Sequence, residues 1–275
     1  MIFPLKKPVF EHQFGIRAIA DDEPLLAHDE FFEDHVILKR LLINDDPQNY
    51  VALTPGCLES VVETTRWIRN QSDSLLDRAD EPITDFVTAA IGVQEDIVIC
   101  QGEDDFAVMA GVVCFPSGWS IAEKIGLPLS EVHGPVPGFA SAMAESTRTL
   151  MDRLKVGRPV SRTNWGVRAS ARWDQSPKHS ASFAREAEKI TCDNAGHRCH
   201  FRVERQTLSR LERTGDIVFT IHTMQCPVVD LTAEQQRILL GVLTTCPAET
   251  LTYKGISVFG DRLCGWLRAE PGKSA

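Results

Sequence analysis

Apolar and polar positions change period several times along this chain, and each change marks an element. From about Leu58, the residues Val61, Val62, Thr65 and Ile68 recur at helical spacing. A second helix is predicted from Pro82, a residue suited to a first helical turn, towards Val93. The period then shortens. Asp96–Cys100 and 106–115 are β-rich runs separated by Gly102-Glu103-Asp104-Asp105, which predicts a hairpin. Ser120-Ile121-Ala122-Glu123 has the form of a capping box, and Gly126 is a stop signal. Pro128, Gly134, Pro135 and Pro137 hold the next stretch to a fixed, largely non-helical path. Phe139, Met143, Ser146, Leu150 and Leu154 then form one helical stripe that ends at Gly157. Strands are predicted near 160–167, 200–208 and 216–226, the last two joined as a hairpin by Arg213-Thr214-Gly215. Thr232-Ala233-Glu234-Gln235 is a second capping box, opening a helix that Pro247 closes.

Two strands, a helical crossing and three strands predict an α+β fold. The expected sheet is antiparallel and five-stranded, with helices on one face and helical flanking segments. The element order is that of a PAS-like domain. Residues 1–94 read as an N-terminal arm and helices packing on the core, with the acidic stretch 1–50 as a wrapping arm. Residues 95–228 read as the PAS-like core, and 229–275 as a C-terminal helix and tail.

Charge narrows the partners. Lys and Arg number 29 against 38 Asp and Glu, a formal net charge of −9. Such a surface does not suit a phosphate backbone, so no nucleic acid is expected, whereas a cationic substrate or basic partner fits. No run approaches the ~20 apolar residues of a membrane helix, and the first ten residues have no apolar stretch of leader length. A cytoplasmic protein with no membrane contact is the expectation. Eight cysteines are present without a C-x-x-C pair, and several sit in apolar strands, as reduced structural thiols do. G-x-G-x-x-G, P-loop, H-E-x-x-H and G-x-S-x-G motifs are all absent. A redox activity would therefore draw its electrons from another protein.

Several residues could carry chemistry. His133 lies in Glu131-Val132-His133-Gly134-Pro135-Val136-Pro137, a rigid frame that suits an axial metal ligand. It equally suits a histidine that ends a helix and bonds a backbone carbonyl. In the 200–208 strand, alternation groups Phe201, Val203, Arg205 and Thr207 on an apolar face, with Arg202, Glu204 and Gln206 opposite. Arg205 is expected to look into the domain, where it needs an acid, a propionate or bound oxygen as partner. Arg162, Asn164 and Trp165 suit the edge of a flat cofactor, or an ordinary strand with a core tryptophan. Cys192, His197, Cys199 and His200 fall close together, but their spacing matches no zinc pattern.

Three blocks also resemble a known family. They are 115–137, holding Phe115-Pro116-Ser117-Gly118-Trp119 and Val132-His133-Gly134-Pro135-Val136-Pro137; Arg162-Thr163-Asn164-Trp165; and Arg202-Val203-Glu204-Arg205-Gln206-Thr207-Leu208 with Ile217-Val218-Phe219-Thr220-Ile221. Together they resemble the haem-dependent oxidative N-demethylase α-subunit-like family. The resemblance implies a PAS-like fold holding haem b and an oxygen-dependent N-demethylation of a small secondary amine such as dimethylamine. The products are formaldehyde and a primary amine. It implies a separate reductase subunit with flavin and an iron–sulfur centre, fed by NADPH. His133 becomes the axial ligand and the metal site. Arg205 becomes the distal-pocket catalytic residue, with Glu204 beside it, and Arg162, Asn164 and Trp165 become cofactor-binding. His222 stands where the family carries arginine. A haem-binding PAS-like sensor without catalysis is the alternative, although no kinase, cyclase or DNA-binding output is recognisable.

Overall fold

A computed structural model describes residues 1–11, 15–71, 82–138 and 144–269. The predicted helix start at Phe139 and the tail from Glu270 lie outside the described residues. The chain is built on one antiparallel sheet of seven strands, not five. These are β1 (Arg17–Ala18), β2 (Val51–Leu53), β3 (Asp96–Cys100), β4 (Val108–Val112), β5 (Val160–Arg168), β6 (His200–Arg210) and β7 (Ile217–Pro227), in the order β1-β5-β6-β7-β3-β4-β2. The two additional strands are the edges, and both come from the N-terminal segment. At two and three residues they are too short to show an alternation in sequence. β1 pairs with Val160 and Ser161 of β5, and β2 lies along β4.

The centre follows the predicted hairpins. β3 pairs with β4 around a bulge between Ile99 and Cys100, and β6 pairs with β7 over its full length, from His200↔Pro227 to Arg210↔Ile217. Phe106, expected to open the second strand, instead adopts φ +52° in the turn before it. The second capping box forms in full: Thr232 N–H donates to Gln235 at 3.0 Å and Gln235 N–H to the Thr232 hydroxyl at 3.3 Å. At the first, Ser120 N–H donates to the Glu123 carboxylate at 3.0 Å.

Helices cover both faces of the sheet, which corrects the one-face expectation. The N-terminal set is α1 (Phe32–Asp45), α2 (Pro47–Tyr50), α3 (Leu58–Gln71) and α4 (Pro82–Ile91). Val61, Ile68, Phe86 and Ala90 of this set pack on Ile97, Ile99, Ala110, Val112 and Val218. On the same face, α8 (Ser180–Glu188), α9 (Ala195–Arg198), α10 (Ala233–Thr245), α11 (Ala248–Tyr253) and α12 (Gly260–Ala269) cover the β5–β6 end. There Leu239, Leu243, Leu263 and Trp266 share a core with Val167, Phe201 and Val203. The opposite face carries the crossing helices α5 (Ile121–Lys124), α6 (Leu129–Val132) and α7 (Ala144–Arg153), with Ile121, Met151 and Leu154 on Val98, Cys100, Val108 and Ile217. The physical reason lies in β3. Asp-Ile-Val-Ile-Cys is apolar at consecutive positions and buried throughout, so both of its faces need cover. Among the described residues no helix is long and apolar enough to cross a membrane.

Candidate functional site

The face under the crossing helices does not close completely. A cavity of about 490 Å³ remains between the sheet, α5–α7 and the C-terminal turn, within the ~300–1,000 Å³ range of ligand and cofactor sites. Its apolar side is formed by Val98, Val108, Ile121, Leu150, Leu208 and Phe219, and its polar side by Arg162, Asn164, Arg168, Arg202, Glu204 and Lys254. Alternation explains the division. The even-numbered positions of β5 and β6 point to this face, and the registers Asn164↔Glu204 and Arg162↔Gln206 bring them side by side.

His133 borders the cavity just after α6, where it forms the helix C-cap. Its Nδ1 lies 3.0 Å from the Leu129 carbonyl oxygen. A carbonyl only accepts, so Nδ1 carries the proton and the neutral ring keeps its lone pair on Nε2. Burial holds the pKa of His133 below the ordinary imidazole range, against the bond to Leu129 and with help from Arg162 and Lys124. The geometry is that of the helix-end reading, with the Leu129 carbonyl fixing the ring.

Glu204 is buried at the centre of the polar side. It accepts from Asn164 Nδ2 at 3.3 Å and Gln206 Nε2 at 2.8 Å, and its charge acts on Arg162, Arg168, Arg202 and Lys254. Arg202 is fully engaged, donating to Ser117 Oγ at 3.0 Å, the Phe115 carbonyl at 2.7 Å and the Trp173 carbonyl at 3.0 Å. Arg168 spends its terminal nitrogens on the carbonyls of Lys254 (2.9 Å) and Ser117 (3.0 Å) and leaves a buried Nε without a partner. Arg162 likewise has a buried, unpartnered Nε. Burial lowers the pKa of both arginines, and Glu204 opposes it. Lys254 donates to the Trp165 carbonyl at 2.7 Å and lies over the Trp165 ring, 4.8 Å from its centroid. Burial is the main reason its pKa falls to about 8.

Arg205 does not join this group. It is on the apolar face as alternation predicted, but that face looks away from the cavity. Its guanidinium binds the N-terminal arm: Glu23 at 3.0 Å, the Pro24 carbonyl at 2.8 Å and the Leu25 carbonyl at 3.2 Å. Arg205 thus has the acid partner that alternation called for, on the face away from the cavity, because both faces of β6 are covered and polarity alone does not say which cover holds the cavity. His222, opposite Arg205 in the register, also points away, with Nε2 3.1 Å from Asp29. Trp165 stands at the cavity's edge, stacked with Phe201 at a centroid distance of 6.3 Å. Cys199 is buried, His200 Nδ1 bonds the Arg198 carbonyl, and no cluster of three or more His, Cys, Asp or Glu suited to a metal occurs among the described residues.

Three cavity residues were not singled out from sequence. Arg168 and Arg202 were within reach, because they share parity with Arg162 and Glu204. Lys254 carried no signal, since only the folding of the C-terminal turn onto the β5 edge brings it in. Residues 72–264 match the family described as haem-dependent oxidative N-demethylase, alpha subunit-like.

Proposed function

Because the chain belongs to the haem-dependent oxidative N-demethylase, alpha subunit-like family, we propose that its cavity holds haem b and that the protein demethylates a small secondary amine, dimethylamine being the simplest. The observation that carries this reading is the pairing, in one cavity, of a histidine locked in the Nε2-lone-pair tautomer with an arginine whose buried Nε has no partner. The first would hold the iron of a bound haem through Nε2. The second suits a carboxylate at the edge of the macrocycle, where it would regain the hydrogen bonds that burial denies it. The donor set therefore fits the group. His133 is the axial ligand in this reading, with Arg162, Asn164 and Trp165 along the cofactor's edge. The PAS-like reading of the core is supported by its two strands, helical crossing and three strands, with the cavity between crossing and sheet.

Haem, when bound, supplies the reductive activation of dioxygen. The overall reaction takes a methylated amine, oxygen, two electrons and two protons to the demethylated amine, formaldehyde and water. The electrons are external, and the alpha-subunit-like family implies a partner subunit. We assign that role to a reductase with flavin and an iron–sulfur centre. Within this chain, Glu204 is the group that can receive the proton of an incoming ammonium, which must leave before the nitrogen lone pair is available. Asn164 and Gln206 hold its carboxylate in place. Arg205 belongs to the arm in this reading and touches no reacting atom.

The test is uptake of hemin. The purified protein should bind about one haem per chain, and His133→Ala should lose it or shift the Soret band, whereas His197→Ala and His200→Ala should not. The reduced protein with oxygen and amine should release formaldehyde. A chain that takes up no hemin, or a His133 variant with an unaltered spectrum, overturns the assignment.

A further inference from the structure

The cavity's charge runs against that of the whole chain. The protein carries a net −9, yet the buried polar side of the cavity has four cations, Arg162, Arg168, Arg202 and Lys254, and one acid, Glu204. Their sum is 4 − 1 = +3. Lys124 adds to the excess. Lys6, Lys7 and Glu11 at the mouth are exposed and screened by water. Buried charge is costly unless compensated, and the bonds from Arg168 to two backbone carbonyls satisfy donors without cancelling charge. Haem b brings two carboxylates, which reduces the excess without removing it. A simple dialkylamine does not remove that charge. It contributes nothing as the reactive free base and adds to the excess as it enters protonated.

We propose that the amine this cavity accepts carries a carboxylate of its own, as an N-methyl amino acid does, held by the cations Arg168 and Lys254 of the cavity's polar side. The inference rests on the haem reading above and narrows its substrate class. Such a substrate brings one negative charge of its own, which lowers the cationic excess where a dialkylamine does not. The unpartnered Nε of Arg168 and the ammonium of Lys254 are donors for a carboxylate, while Glu204, two positions from Arg202 on the same strand face, meets the nitrogen. The held-down pKa of Lys254, about 8, agrees with a site that gains most from an anion beside it. The reaction balance is unchanged: an N-methyl amino acid, oxygen, two electrons from the reductase and two protons give the amino acid, formaldehyde and water.

The experiment is calorimetric titration at pH 7 of hemin-loaded protein with N-methylglycine, dimethylamine and acetate. N-methylglycine should bind at least about tenfold more tightly than dimethylamine, and acetate should compete with it. Lys254→Gln loses one backbone hydrogen bond and the cation over the Trp165 ring, and its Soret band is recorded beside the parent's before titration. The substitution should weaken N-methylglycine about tenfold and should not weaken dimethylamine, whose ammonium gains from the loss of a cation. Dimethylamine binding as tightly as N-methylglycine, or equal affinities in the Lys254 variant, overturns the proposal while leaving the haem reading intact. Failure to bind hemin overturns the haem reading instead. In that case acetate titrated into the haem-free protein decides the anionic subsite: binding that Lys254→Gln abolishes supports it, and no binding overturns it.

Discussion

At the residue scale, Arg205 shows how one side chain's role depends on which layer it meets. Its guanidinium ties the arm to the sheet through Glu23 and two carbonyls. Arg205→Leu fills much of the volume but leaves those partners without a donor, and Glu23 keeps only Arg17. We expect a loss of about 1–3 kcal/mol in urea unfolding, the range for a hydrogen-bonded charge that is largely buried. Haem content and oxygen affinity should be unchanged. Impaired oxygen binding at unaltered stability would return Arg205 to the reacting centre.

At the element scale, the arm shows what holds a segment with little regular structure. Pro8 lies directly against Gly241 of α10, and Phe10 N–H donates to the Thr245 hydroxyl at 2.7 Å. A Cβ on Gly241 would collide with the Pro8 backbone, so helix α10 can carry no side chain there while the arm is docked. Gly241→Ala should improve the helix by about 1 kcal/mol in propensity and still release the arm. Limited proteolysis reads the difference: cleavage before residue 17 should accelerate several-fold in the variant while the rest of the chain stays resistant. Equal cleavage would mean that the arm shifts to accommodate the methyl. Because the arm also lines the mouth of the cavity, ligand release should quicken with it.

At the scale of the whole molecule, buried titratable groups set the response to acid. His35 is 1 % exposed, and burial holds its pKa down to about 4, with His222, Lys39 and Arg202 adding to the shift and Asp29 opposing it. Unfolded, its pKa returns to about 6.5. Between those values the unfolded chain binds more protons, so stability falls as pH drops from about 6.5 to about 4. Glu23, held down to about 2 chiefly by its hydrogen bond from Arg17, adds a second loss as pH falls below about 4.5. Urea midpoints measured from pH 8 to pH 3 should be flat at first and then decline. His35→Gln should reduce the loss between pH 6.5 and 4, to which His133 and His200 also contribute and which Asp96, pushed up to about 6, opposes, and should keep the later one. A variant that declines in parallel with the parent would place the acid response elsewhere.

The sequence alone determined what local chemistry dictates. The hairpins follow from β-rich runs and turn residues, the capping boxes from Thr232 and Gln235 and from Ser120 and Glu123, and the grouping of Arg202, Glu204 and Gln206 on one strand face from a period of two. It also singled out His133, because a Pro/Gly frame restricts the backbone whatever surrounds it. Edge strands of two and three residues were illegible, since pairing rather than propensity makes them strands. Tertiary structure alone decided which covered face keeps a cavity, because alternation separates two faces but does not rank them. That choice turned Arg205 towards the arm, turned Arg162, Arg168 and Glu204 towards the cavity, and brought Lys254 to them from the far end of the chain.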